Sequence, residues 1–360
     1  TDEEQLIVVS NFADEARELM IDVPAEIIAK MGLDAGRRSL VDQLYGSVNT
    51  ITVDHGIGSI HVRLAPLESF AWRIGDGLFK PPEVVPFVDD PVGAGVQGTL
   101  LYWKDVTSEH LSEDRNVVIW LPPGYDDNPD QRYRVIYMSD GENLFDPRIA
   151  SWGVDWGIDE AMMSGMEKGS HEPAIVVGAW SSSRRGYEYS PWHEASAYAR
   201  FLTEELMPQV NREFRTMTGP DNTFHMGSSM GGLLSYYLVK NHSDIFGACG
   251  CVSSHFALSE KIMANVMDTG GAEGDPTHYI VRDIEQGASI SGGRFFFDYG
   301  TKTLDATYEQ DHAPVRAWLL EQGLVEGRDF RMQKYEDANH SERAWRARVG
   351  DQLEWLLGGG

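Results

Sequence analysis

The chain has 360 residues, 42% apolar and 11% aromatic, enough for a sizeable core and too apolar for general disorder. Its formal net charge of −26 repels phosphate backbones and anionic lipid, which argues against nucleic-acid partners and membrane-surface binding. No run of about 18 apolar residues occurs, so no membrane insertion is expected.

In chain order, the opening Thr1-Asp2-Glu3-Glu4 is acidic and lacks an initiator Met, and a processed protein, secreted or periplasmic rather than cytoplasmic, is expected. From Glu15 to Leu44 the apolar residues Leu19, Ile21, Ile27, Ile28, Met31, Leu40 and Leu44 lie near helical spacing. That predicts two or three short helices with a break at Val23-Pro24. Ile51-Thr52-Val53 and Ile60 to Leu64 alternate apolar and polar around Asp54-His55-Gly56-Ile57-Gly58, a hairpin signal. Lys80 to Pro86 is proline-rich and Pro91 to Gly98 glycine-rich, which reads as a linker. The expectation is two domains: residues 1–98, a smaller mixed region of helices plus a hairpin, and residues 99–360.

Beyond residue 98, short apolar strands are predicted at 116–121, 134–138, 174–179, 223–226, 247–253, 294–299 and 330–334. Helices are predicted between and after them at 159–166, 195–214, 230–241, 311–322 and 342–357. Buried strands alternating with helices predict an α/β fold with a mostly parallel sheet flanked by helices. Ligands of such sheets bind beyond the carboxyl ends of the strands. The two cysteines, Cys249 and Cys251, read as buried small hydrophobes, because a bridge between them would close a tiny loop.

Gly227-Ser228-Ser229-Met230-Gly231-Gly232 fits G-x-S-x-G directly after a strand and before an apolar helix, the context of a nucleophile elbow. Ser229 is the candidate nucleophile, and the backbone N–H of Met230 a candidate oxyanion donor. A serine needs a base, and in α/β-hydrolases the chain order is serine, acid, histidine. Of the histidines after Ser229, His340 follows the last strand, while His242 and His312 read as solvated or capping residues and His255 competes as a base or pocket residue. For the acid, Asp305 in the loop after strand 294–299 is preferred to Asp298 inside it. The second oxyanion donor is placed at the main chain of Glu142, with Asn143 near the pocket rim. Trp156, Trp180, Tyr187, Tyr189, Trp192 and Phe256 are candidate pocket walls, and Arg184 and Arg185 read as a solvated loop. No metal site and no cofactor is called; Asp140, Asp155 and Glu188 lack ligand spacing.

These residues resemble the esterase family of the α/β-hydrolase fold that includes enterochelin-esterase-like, feruloyl and acetyl-xylan esterases. The matching motifs are VIWLPPGY (118–125), VIYMSDGENLFD (135–146), GVDWGIDEAM (153–162), RRGYEYSPW (184–192), GSSMGGLLSYYL (227–238), FDYGTKTLDATYE (297–309) and ANHSERAWRARV (338–349). The resemblance implies an α/β-hydrolase fold, Ser229, Asp305 and His340 as catalytic residues, and Glu142 and Met230 as oxyanion donors. It implies a serine carboxylesterase acting on a small-molecule or carbohydrate-linked ester, feruloyl, acetyl or siderophore-like. An acyltransferase with the same triad and a catalytically idle binding protein are the alternatives, and a homo-oligomer is compatible with the sequence. Related enterochelin esterases carry an all-β N-terminal domain, but the opening here reads as partly helical, and it is taken as an accessory region beside the site.

Overall fold

The structure, a computed structural model of the chain, describes residues 6–11, 17–42, 48–64, 69–74, 96–256 and 279–358. Leu44 and most of the expected linker, residues 80–95, lie outside the described residues. The chain forms two compact units.

The first unit is a six-stranded antiparallel sheet. Its strands are β1 (Leu6–Ser10), β2 (Arg17–Val23), β3 (Gly36–Asp42), β4 (Val48–Asp54), β5 (Ile57–Leu64) and β6 (Ser69–Ile74), in the order β1-β6-β3-β4-β5-β2. The expected break at Val23-Pro24 is present, since β2 ends at Val23 and the Pro24 carbonyl accepts from Ile27 and Ile28 N–H to start the helix Ala25–Lys30. The predicted helices around it are corrected: Leu19 and Ile21 lie on β2 and Leu40 on β3. β2 is an edge strand whose Leu19 and Met20 are both exposed, so apolar residues on two faces imitate a helical stripe. The hairpin is as expected, with Asp54 opposite Ile57. His55 and Gly56 both take positive φ (47° and 79°), as a two-residue primed turn demands.

Among the described residues, the second unit holds eight strands: β7 (Thr99–Val106), β8 (Arg115–Leu121), β9 (Arg134–Ser139), β10 (Ala174–Ala179), β11 (Thr223–Ser228), β12 (Ala248–Val252), β13 (Arg294–Gly300) and β14 (Phe330–Tyr335). Their order is β14-β13-β12-β11-β9-β10-β8-β7. β8 runs antiparallel to β7 and β10, and every other neighbouring pair is parallel. Gln97 already belongs to this unit: its N–H donates to Asp159 Oδ2 (2.8 Å) and its carbonyl accepts from Trp120 Nε1 (2.6 Å). The core packs sheet residues such as Trp120, Ile136, Val176 and Met226 against Met162 and Leu353 of the flanking helices.

Two predicted helices are interrupted. The stretch 195–214 runs as Ala195–Arg200, a wider π-type turn Phe201–Leu206, and Met207–Glu213, where Pro208 supplies no N–H to continue the regular ladder. The last divides into Glu342–Arg346 and Val349–Leu357, with the buried Arg348 at the break. The reading of the cysteines as unbridged is also corrected, for Cys249 and Cys251 are paired as a disulfide. They share one face of β12 with Cα atoms 5.8 Å apart, inside the usual span for a bridge.

Candidate active site

The segments after β9, β11, β12, β13 and β14 supply the residues of the site. Ser229 sits between β11 and the helix Met230–Asn241 with φ 56° and ψ −118°, a conformation rare for a side-chain-bearing residue. The flanking glycines are sterically required. A Cβ on Gly227 would lie 2.8 Å from Gly231 backbone, and one on Gly231 would lie 3.1 Å from Ser139 Cβ. The turn is fixed further by Ser229 N–H donating to the Val252 carbonyl (3.0 Å) and by the Ser229 carbonyl accepting from His255 N–H (3.1 Å). Met230 opens the helix, where backbone N–H groups have no intrahelical acceptor and the helix dipole is positive.

His340 and Asp305 are brought together. His340 Nδ1–H donates to Asp305 Oδ1 at 2.6 Å, and His340 N–H donates to Thr303 Oγ1 at 2.9 Å, tying the two loops. The hydrogen bonds described for His340 go to these two residues, and none reaches Ser229. Asp305 Oδ2 accepts from Gly300 N–H (2.7 Å) and Ser253 Oγ (2.6 Å). Burial pushes the Asp305 carboxyl up, but the bonds from His340, Ser253 and Gly300 outweigh it and hold it below its ordinary value. Asp298, the other acid considered, is not bonded to His340 but accepts from Ser253 N–H, Arg348 and Gln352. Its carboxyl is raised, chiefly by burial.

The loop after β9 begins at Asp140, which takes a left-handed φ of 57°, and continues as the turn Gly141–Asn143. A side chain at Gly141 would run into the Gly178 backbone. Asp140 is clamped by Arg185, whose Nε and NH2 donate to its two carboxylate oxygens at 2.6 and 2.8 Å. Glu142 is buried and accepts from Ser181 N–H and Oγ; burial and Asp140 together raise its carboxyl. Asn143 is placed as a loop pin, not a rim residue, with its Oδ1 accepting from Ser151 N–H (2.8 Å).

Several expectations about the surroundings are corrected. Trp156 is 2% exposed and packs on Trp345, Tyr189 is fully buried beneath Asp140 and Arg185, and Phe256 is fully buried among Tyr236, Phe297 and His312. Residue type alone does not say which way a ring points. Trp180 and Trp192 are half-buried, Trp180 against Tyr102 and Trp192 against His193. His312 is buried rather than solvated, and His242 caps the helix as expected. Arg184 pairs with Glu194 and Arg185 with Asp140, so neither is a free loop charge. His255 stands near the candidate base, its ring centroid 6.4 Å from that of His340 and its Nδ1 bonded to Tyr308 Oη.

Sequence reading missed Ser253, Trp345 and Arg348 behind Asp305, because no local pattern marks a residue that supports a side chain distant in sequence. It also missed Glu342, whose carboxyl is pushed up to about 7 by burial, with Asp140 acting in the same direction. Among the described residues, Asp155, Asp159 and Glu160 have carboxylate oxygens within 4.8 Å of one another. Arg346 donates to Asp155 and Glu160, so a guanidinium already fills the place a cation would take.

A family profile described as "Putative esterase" matches residues 108–356, more than two-thirds of the chain. The chain belongs to this esterase family. Relatives of this esterase include the iron(III) enterobactin esterase of Dickeya dadantii, 24% identical over 84% of this chain and 62% of that protein. Another is an endo-1,4-beta-xylanase/feruloyl esterase of Xylanibacter ruminicola, 25% identical over 45% of this chain and 22% of that protein. The matches thus span less than two-thirds of these curated relatives' length. Among solved structures, the enterochelin esterase of Shigella flexneri superposes with a TM-score of 0.57 at 14% identity, covering 97% of this chain and 95% of that one. A ferulic acid esterase gives 0.53 at 17% identity over 73% of this chain and 98% of its own. At these identities the structural likeness shows the fold, an α/β-hydrolase second unit preceded by a small sheet domain. Among the described residues, no helix is long and apolar enough to cross a membrane.

Proposed function

We propose that this esterase is a serine carboxylesterase working through an acyl-enzyme, with Ser229 as nucleophile, His340 as base and Asp305 as its orienting acid. The observation that carries the reading is the partly buried Asp305–His340 hydrogen bond beyond β13 and β14, on the same sheet whose β11 ends in the strained turn of Ser229. Because Asp305 accepts from Nδ1, the imidazole keeps its proton there and presents Nε2 as the basic atom. His340 takes the Ser229 proton as Oγ attacks the ester carbonyl, and returns it to the leaving alcohol. The N–H groups of Met230 and Glu142 receive the oxyanion, each donor supplying roughly 10²–10³ in rate. Water, activated by His340, then releases the acid. The Ser229–His340 contact forms when substrate closes the site, as such bonds are often long in the free enzyme.

The substrate class we propose is a feruloyl, acetyl or siderophore-like ester, with the xylanase/feruloyl esterase and enterobactin esterase relatives as support. The test is hydrolysis of p-nitrophenyl acetate, p-nitrophenyl octanoate, methyl ferulate and acetylated xylan by wild type and Ser229→Ala. Turnover of one or more esters that vanishes in Ser229→Ala is the expected result. Folded wild-type protein that cleaves none of them, or a Ser229→Ala variant that keeps full activity, contradicts it. Half-buried Trp180 and Trp192 give a further expectation, a preference for the aromatic acyl group of methyl ferulate over octanoate.

A further inference from the structure

We propose that Ser253 is a positioning residue that fixes the direction of Asp305 toward His340. It deepens the triad reading and rests on it for its kinetic arm alone. Ser253 follows β12 with φ 39° and is fully buried. Its Oγ meets three partners: Asp305 Oδ2 at 2.6 Å, Arg348 NH2 at 2.6 Å and Trp345 Nε1 at 3.0 Å. A hydroxyl has one proton to give and two lone pairs to fill. Indole N–H and guanidinium are donors only, so they take the two lone pairs. The single proton of Ser253 is therefore committed to Asp305, with no alternative rotor position.

The consequence reaches His340. With Oδ2 held by Ser253 Oγ and Gly300 N–H, Asp305 turns Oδ1 to His340 Nδ1. Trp345 closes the arrangement from the other side, because the indole that donates to Ser253 also stands edge-on to the His340 ring, 5.0 Å between centroids. Arg348 lies 3.6 Å from Asp305 Oδ2 and is also bonded to Asp298, so its charge is shared by both buried acids. His255 and Tyr308 pack across the imidazole, and Glu342 follows it by two residues. Tyr308 N–H donates to the Asp305 carbonyl (3.0 Å), while the hydrogen bonds described for the Asp305 carboxylate come from His340, Ser253 and Gly300.

The test compares wild type, Ser253→Gly and Trp345→Phe. Glycine accepts the positive φ at 253, so it removes the hydroxyl with little backbone cost. Phenylalanine keeps a ring against His340 and removes one donor to Ser253. Two quantities are read: steady-state hydrolysis of p-nitrophenyl acetate, and the downfield proton resonance of His340 Nδ1–H, assigned by its loss in His340→Ala. In Ser253→Gly, kcat is expected to fall about 10–100-fold with KM held within about two-fold, and the resonance to move. Trp345→Phe is expected to move the resonance as well, with a smaller fall in kcat. A serine that merely supports the fold would lower the melting temperature and leave kcat and the resonance of the folded molecules unchanged, and that result overturns the proposal. Where Ser253→Gly fails to fold, Ser253→Ala, which leaves the Trp345 ring against His340 in place, decides by the resonance. Wild-type protein inactive on esters would sink the triad reading instead, while the resonance still decides the role of Ser253.

Discussion

Ser229 holds φ 56° and ψ −118°, a region that costs a residue with a side chain about 1–3 kcal/mol. The surrounding bonds hold it there, and the glycines at 227 and 231 leave room for the tight turn. Asp305 is the residue where charge and geometry meet. Its carboxyl is held below its ordinary value, so the folded state binds fewer protons there than the unfolded chain. The stability it contributes is fully present above the ordinary carboxylate range and is lost as pH falls through the lowered folded value. Asp305→Asn removes that acid sensitivity and offers His340 an amide that can reverse the imidazole tautomer. We predict a fall in kcat of roughly 10²–10⁴ with far less change in KM, checked by steady-state kinetics at neutral pH. An unchanged kcat would remove Asp305 from the catalytic apparatus. The motif residues Gly227, Ser229 and His340 were legible because the first two form a short pattern at the end of β11 and the third lies in the loop after the last strand. Ser253, Trp345 and Arg348 were not, since the bonds that define them join positions 92 and 95 residues apart.

The strands past residue 98 were legible for a physical reason: buried parallel strands such as Ala174–Ala179 are continuous apolar runs, bounded by helices of the other period. The same rule fails where burial is uneven. On β7, Leu100 alone is buried, and Leu19 and Met20 on β2 are both exposed, so neither strand shows a clean period. The break at Phe201–Leu206 precedes Pro208, which has no N–H, and the break before Val349 carries the buried Arg348. The helix Arg185–Glu188 is anchored by a different device, the pair Arg115–Glu188, which joins β8 to the segment after β10 with both side chains 0% exposed. Tyr198 and Phe201 lie 5.6 and 5.1 Å from the guanidinium. Removing one partner leaves a buried charge uncompensated, so Glu188→Ala is predicted to cost about 3–5 kcal/mol in denaturant unfolding. A loss under about 1 kcal/mol would show that the pair is not desolvated as the structure places it. Because that helix carries Arg185, which clamps Asp140, the same variant should also loosen the loop after β9, the proposed source of an oxyanion donor.

At the scale of the molecule, the net charge of −26 is a statement about solvent rather than fold. Self-repulsion among surface carboxylates opposes the compact state, and salt at about 1 M shortens its range to roughly 3 Å. In the site's own pair Asp305 is buried and His340 only partly exposed, so salt screens it less than the surface charges. Activity is therefore predicted to stay within about two-fold between 0.1 and 1 M NaCl while the melting temperature rises. A steep loss of activity over that range would count against this division between surface and site. The account as a whole stands on one covalent event at Ser229. Its most direct measurement is intact-mass spectrometry and peptide mapping after treatment with a fluorophosphonate, for wild type, Ser229→Ala and His340→Ala. The account predicts a single adduct on Ser229 in wild type, none in Ser229→Ala, and much slower labelling in His340→Ala. An adduct on another residue, or folded wild-type protein that hydrolyses esters without labelling at Ser229, would contradict it.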